Sequence, residues 1–539
     1  MFHSAPWLKS ASLLAVAALL VLGISCGNDN GAGTTSPTLS TATPTPSVAG
    51  GPSELVTIDL KTAENVTTYF GQDSTDLVNV SSSLALGDFN DDGETDALIG
   101  APQADGPDNK REDAGEAYVI FGPLNETRRL GAGSADVTIL GANAGDGLGF
   151  TTLAGDLNDD GVDDVMVGAP GVTAGFDPRS DQGRVYVFFG SDDFRGDPER
   201  DLSDDIFDLA VTGAEGFSRL GHSMGLGDVN GDGVTDLVVG APFAGRKPGT
   251  PPGGERTALG EVYVIYGGED PAGERNIARD EADIRLSGAF AFGQFGASLD
   301  VGDVNDDGTD DIVVGASRAS ADATGSTSGA AYVFFGGSDL ESTLSVQSGA
   351  QDTSIIGPAS SNFGFPLTVA DLNGDRIDDM AFGAQLQTGG LLNLAGAIHV
   401  ILGSADLGTE IDAAEADAVI IGGSLAGGLF PTALAASDID DDGSADLIAG
   451  AALSGDDLPG SGTVYVFTRL ASASGLLDLS EKSASITVLG AAADDRLGGS
   501  VSAGALAGNS HVLLLLAAQA EGGNYDGDVG VVYVVPVSE

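Results

Sequence analysis

The chain has 539 residues, with 22 Lys plus Arg against 80 Asp plus Glu, a formal net charge of −58. A field of that sign repels nucleic-acid phosphates and anionic headgroups, which excludes both as general partners. The 82 Gly argue against a helical protein and the single Cys excludes an intramolecular disulfide, while 42% apolar content suffices for large cores.

Residues 1–26 read as an export signal. SASLLAVAALLVLGIS (10–25) carries no charge and runs up to Cys26. It is short for a membrane span and suits a signal-peptide apolar region. An apolar run ending at a lone Cys resembles a bacterial lipoprotein signal, although Gly23 stands where that family prefers Leu. The resemblance implies lipidation at Cys26 and an exported chain anchored to the bacterial envelope, at the outer membrane or cell surface. Ordinary secretory cleavage, leaving a periplasmic or secreted chain with a free thiol, is the alternative. Residues 27–53 hold Gly, Thr, Ser and Pro without Lys, Arg or aromatics, the composition of a disordered tether.

Residues 54–539 are repetitive. DFNDDGETD (88–96), DLNDDGVDD (156–164), DVNGDGVTD (228–236), DVNDDGTDD (303–311), DLNGDRIDD (371–379) and DIDDDGSAD (438–446) begin 68, 72, 75, 68 and 67 residues apart. ALAGNS (505–510) occupies a seventh slot without the acids. Each unit places a short apolar segment before the loop and another, such as DIVVGAS, after it. A third run carries Tyr118, Tyr186, Tyr263, Tyr332, Tyr465 or Tyr533, with His399 in the fifth copy. A fourth resembles DVTILGA (136–142). Short Val/Ile/Tyr-rich runs bounded by Gly and Asp predict strands. The expected fold is all-β, a seven-bladed propeller of four-stranded antiparallel blades. The seventh unit ends at its third run, so an N-terminal strand, LVTIDL (55–60), is expected to complete that blade and close the ring.

Gly100-Ala101-Pro102, Gly168-Ala169-Pro170 and Gly240-Ala241-Pro242, with Phe-Gly elsewhere in the units, resemble the FG-GAP repeat. That repeat builds the seven-bladed propeller of integrin α chains and related bacterial proteins, and the resemblance spans residues 55–539. Later copies drift to Gly315-Ala316-Ser317, Gly383-Ala384-Gln385 and Gly450-Ala451-Ala452.

The acidic loops predict calcium. Closely spaced carboxylates repel unless a cation joins them, and oxygen-only donors suit a hard divalent ion. Side-chain ligands are expected at positions one, three, five and nine of each loop. These are Asp88, Asn90, Asp92 and Asp96; Asp156, Asn158, Asp160 and Asp164; Asp228, Asn230, Asp232 and Asp236. The remaining three sets are Asp303, Asn305, Asp307 and Asp311; Asp371, Asn373, Asp375 and Asp379; Asp438, Asp440, Asp442 and Asp446. Position seven would offer its carbonyl, from Glu94, Val162, Val234, Thr309, Ile377 or Ser444. An EF-hand begins the same way but needs a position-twelve Glu and flanking helices. About six ions are expected, the fifth loop being weakest because Arg376 replaces the turn Gly, at roughly 1–2 kcal/mol. The slot from Ala505 to Asn509 should be empty.

No nucleophile elbow, zinc spacing or phosphate loop is present, and His222 is the one His with a plausible catalytic setting. The chain is therefore expected to be a binding or adhesion module rather than an enzyme, with an envelope-polysaccharide enzyme or a purely structural component as alternatives. Its ligand would be a protein or glycan, the membrane contact would be the lipid anchor alone, and the oligomeric state is not encoded. Arg195-Gly196-Asp197 is read as a chance triplet. Ligand binding is expected opposite the calcium loops, on the variable loops 102–116, 170–183 and 242–260, the last carrying Arg246, Lys247 and Arg256.

Overall fold

Seven small sheets make up the protein, and in six of them the second strand is an apolar run buried along its whole length. The computed structural model describes residues 56–538 except 72–82, 132, 173–180, 215, 246–257, 269–270, 321–327, 388–394, 423–428, 456–457, 469, 471–474, 480–483, 506–510 and 520–529. Cys26, the tether, the seventh acid-free loop, and Arg246, Lys247 and Arg256 lie outside the described residues. Among the described residues no helical segment is longer than a 3-10 turn of three residues.

Blade 1 shows the pattern. Leu84–Gly87, Asp96–Ala101, Glu116–Ile120 and Val137–Leu140 pair antiparallel in sequence order. Blades 2 to 6 repeat it, with second strands starting at Asp164, Asp236, Asp311, Asp379 and Asp446. Strands covered on both faces read as continuous apolar runs rather than alternating ones. The cover is the neighbouring blade. Ala85, Leu98, Val119 and Ile139 of blade 1 share a core with Val165, Val167, Tyr186 and Ala210 of blade 2. Met166, Val185 and Val211 share the next with Leu237, Val239 and Tyr263. First strands touch around the whole circle, blade 7 (Val501–Ala505) meeting blade 1 (Leu84–Gly87).

Each sheet also carries a fifth strand, which the repeat pattern did not predict. It runs parallel to the fourth strand and belongs to the next unit. Glu199–Asp201, from between the third and fourth strands of unit 2, pairs with Val137–Leu140 of blade 1. Gly273–Asn276 does the same for blade 2, and Thr343–Ser345 for blade 3. The outer edge of one blade is thus capped by its successor.

Ring closure uses the N-terminal segment, but not the strand expected. Val56–Asp59 pairs parallel with Ile486–Leu489 and is the outer strand of blade 6. The fourth strand of blade 7 is Thr67–Phe70, antiparallel to Gly530–Ser538. The segment 56–70 therefore repeats the outer-strand and fourth-strand pieces of every other unit, and VTID matched VTIL by composition rather than by role. Val56 and Ile58 pack on the core between blades 6 and 7 while Thr57 is exposed.

Candidate functional site

Six acidic loops join first and second strands, and a common set of backbone bonds shapes them. The position-one carboxylate accepts the N–H groups of positions five and six in every loop. Examples are Asp156 from Asp160 and Gly161, at 3.2 and 2.8 Å, and Asp371 from Asp375 and Arg376, at 3.1 and 2.7 Å. Position five accepts from position seven, Asp160 from Val162 at 3.0 Å. Position six is left-handed, as the turn Gly predicted, and Arg376 adopts the same conformation at φ 76°. Position four is left-handed as well, at Asp91, Asp159, Gly231, Asp306, Gly374 and Asp441.

Position nine lies beneath its loop. Asp164 accepts from Leu157 N at 2.9 Å with one oxygen and from Gly190 N, just past the third strand, at 2.9 Å with the other. Asp96, Asp236, Asp311 and Asp379 repeat this with Gly122, Gly267, Gly336 and Gly403. Burial pushes these carboxyls up, to about 7 at Asp96, Asp164, Asp236, Asp379 and Asp446 and about 8 at Asp311; the backbone donors oppose it and the position-one and position-five carboxylates add to it. A bound cation would reverse that tendency.

The donor set is oxygen only. In the sixth loop one carboxylate oxygen each from Asp438, Asp440 and Asp442 lies within 4.8 Å of the others. Asn90, Asn158 and Asn373 point their amide oxygens inward, onto the position-five N–H. Among the described residues Asn305 Oδ1 and the fully buried Asp446 Oδ1 have no hydrogen-bond partner. An unsatisfied buried oxygen costs about 1–3 kcal/mol, and a hard cation is one way to satisfy it.

Position eight was not singled out by the sequence. Asp163, Asp310 and Asp378 each accept the position-one N–H of the preceding loop, at Asp88, Asp228 and Asp303, over 2.9, 2.8 and 3.1 Å. Burial raises all three carboxyls, and the amide each accepts opposes it.

Two histidines, His222 and His399, are held by packing and hydrogen bonds. His222 Nδ1 lies 3.2 Å from Ala297 O, its ring packs on Phe150, and burial, with Arg219 adding, pushes it down to about 4. That holds it neutral. His399 replaces the usual Tyr and bonds Ala413 O and Gln387 Oε1 at 2.7 and 2.6 Å. In the Arg-Gly-Asp triplet, Arg195 pairs with Asp136 at 3.0 Å and covers Phe121.

The opposite face carries the second loops and the links between blades. Phe217 and Phe292 sit on links 2→3 and 3→4, are 46% and 61% exposed, and are left-handed at φ 65° and 58°. Gly, Asn and Asp suit such backbone best, and the equivalent turns use Gly145, Ser360 and Asp494. The two links grip the roots of blade 3's long second loop: Phe243 N donates to Ser218 O and Phe292 N to Ala258 O. Phe290 is exposed beside them. No sequence pattern marked these residues, because backbone conformation gives them their meaning.

An FG-GAP repeat model matches residues 81–120, 148–188, 220–265, 295–334 and 430–467, the first three strands of blades 1 to 4 and 6. Those five segments are similar to the FG-GAP repeat. The chain is 30% identical over 263 residues to integrin alpha pat-2 of Caenorhabditis briggsae, covering 46% of this chain and 19% of that one. It is 30% identical over 242 residues to integrin alpha-5 of Xenopus laevis, covering 43% and 19%. Phosphatidylinositol-glycan-specific phospholipase D of Bos taurus is 37% identical over 177 residues, covering 32% of this chain and 19% of that protein. These matches span about a fifth of each relative's length. Among solved structures, BBS1N in complex with ARL6DN aligns over 86% of this chain and 94% of that chain at 9% identity, with a TM-score of 0.41.

The phospholipase D relatives correct the expectation of a non-enzymatic chain. Repeats like these occur within an enzyme. A chain filled by a propeller without a catalytic motif is therefore no argument against catalysis.

Proposed function

We propose that the integrin-like propeller is a calcium-stabilised extracytoplasmic binding or adhesion module for a protein or glycan ligand. The observation that carries the binding reading is the pair Phe217 and Phe292, exposed on costly left-handed backbone at equivalent turns beside the longest second loop. Strain kept on an exposed aromatic is explained by a contact that uses it. Calcium is supported by the oxygen-only loops and their unsatisfied oxygens. Positions one, three, five and nine would hold the ion with the carbonyl of position seven, about six ions in all. When bound, calcium neutralises the clustered carboxylates. The chain's own carboxylates order the loop backbone, so the opposite face rests on a rigid ring. The Arg376 loop would bind least tightly. Cys26 would hold the propeller at the bacterial envelope through the 27–53 tether; among the described residues no helix is long and apolar enough to cross a membrane.

The test is recovery of a partner from envelope extract, with calcium and with chelator, by wild type and by Phe217→Gly/Phe292→Gly. Glycine relieves the backbone strain, so the double variant should be at least as heat-stable as wild type while recovering less than a tenth of the partner. Undiminished recovery would move the contact elsewhere. The phospholipase D relatives favour a second reading, in which the propeller serves a reaction on a glycan-bearing lipid. Turnover of such a lipid by the purified chain would select it.

A further inference from the structure

We propose that the position-eight carboxylates Asp163, Asp310 and Asp378 are positioning residues that couple neighbouring cation loops, so that ions bind in linked groups rather than at six independent sites. The proposal rests on the calcium reading above.

The contact is reciprocal. Asp228 N donates to Asp310 Oδ2 at 2.8 Å, and Asp310 N donates to Asp228 O at 3.1 Å. The same pair of bonds joins Asp88 with Asp163 and Asp303 with Asp378. Position one is the residue whose carboxylate organises its own loop, so its main chain is held by the next loop. Ordering one loop around an ion fixes its position-eight residue, and that residue fixes position one of the loop before it.

The junctions are not alike. Between loops five and six, position eight is Ala445, and only its N–H to Asp371 O at 2.8 Å remains. Between loops two and three, position eight is Thr235, and among the described residues neither bond of the pair is formed. At Gly227 and Gly302, just before position one, an added Cβ would lie 2.7 and 2.4 Å from the Oδ2 of Asp310 and Asp378, so a side chain there would displace the carboxylate. Where no carboxylate arrives, the residue there is Gly155 before loop two and Ala370 before loop five. Loops one and two therefore form one group, loops three, four and five a second, and loop six stands apart. One observation points to a cation in these loops independently of their acidity: among the described residues Asn305 Oδ1, buried in loop four, has no partner.

The experiment titrates chelator-treated full-length protein with calcium, counting ions per chain by native mass spectrometry and reading isotherm steepness by calorimetry. Asp310→Ala should weaken the third site about tenfold, the loss expected for one bond to a charged acceptor, and flatten the isotherm without changing the ion count at saturation. Asp310→Asn keeps an accepting oxygen without the charge and should recover part of the loss, lying between the Ala variant and wild type. Ala370→Gly with Ala445→Asp builds the missing contact and should steepen the curve by joining loop six to the second group, which keeps the test open if Asp310→Ala folds poorly. An Asp310→Ala curve superimposing on wild type, or an Asn variant that fails with the Ala variant, overturns the coupling while leaving calcium binding intact. A wild type that binds no calcium overturns the calcium reading itself.

Discussion

Single side chains in this protein act mostly by capturing backbone amides of another element. Arg111 is an exception, because its guanidinium spans three elements. From the second loop of blade 1 it grips both carboxylate oxygens of Asp201 at 2.7 Å and donates to Gly141 O at 2.8 Å. That ties the loop to the outgoing link and to the borrowed outer strand. Arg111 holds the Asp201 carboxyl down at about 2. A depressed carboxyl stabilises the fold above its unfolded value of about 3.9, and the contribution is lost as pH falls through the folded value. Arg111→Ala should cost about 1.5–3 kcal/mol at pH 7. The gap between wild-type and variant urea midpoints should narrow between pH 4 and pH 2. A gap that is constant over that range would mean the side chain acts by packing alone.

Elements are interchangeable in composition and distinct in role, which is why closure was misread. Two N-terminal runs rich in β-branched residues, 55–60 and 67–70, lie within one repeat piece, and the pairing partner decides what each does. Tyr69, 1% exposed, fills the core between blades 7 and 1 with Leu515, Val532, Val534 and Tyr118. Val56 and Ile58 only flank the core between blades 6 and 7. Tyr69→Ala should therefore lower stability by about 3–5 kcal/mol, and Ile58→Ala by markedly less, since its side chain is only half-buried. Denaturant midpoints of the two variants check this. Equal losses would restore 55–60 as the closing strand.

For the whole molecule, charge and closure act against each other. A net charge of −58 pushes the blades apart, while seven inter-blade cores and the N-terminal strand hold the circle shut. Cations in the six loops would relieve the repulsion where it is densest, since those loops hold 27 of the 80 acidic residues. The same charge disfavours anionic headgroups, so membrane residence would depend on the anchor. Cys26→Ser should move the protein from the membrane fraction to the soluble fraction on cell fractionation. A wild type that is already soluble, with an unmodified Cys26, would remove the anchor.

The sequence by itself determined the period, the seven units, the strand-loop-strand setting of the six acidic loops and the need for an N-terminal strand in the ring. These are local properties, carried by turn Gly, carboxylate spacing and short apolar runs that must read alike in every copy. Tertiary structure alone decided which N-terminal run closes blade 7, that each blade borrows a parallel fifth strand, and that position eight serves the loop before it. The Asp88–Asp163 contact crosses 75 residues and the Asp228–Asp310 contact 82, so nothing within either loop distinguishes Asp163 from any exposed acid. Phe217 and Phe292 were silent for a related reason: a Phe in a link is ordinary until the backbone beneath it is found left-handed.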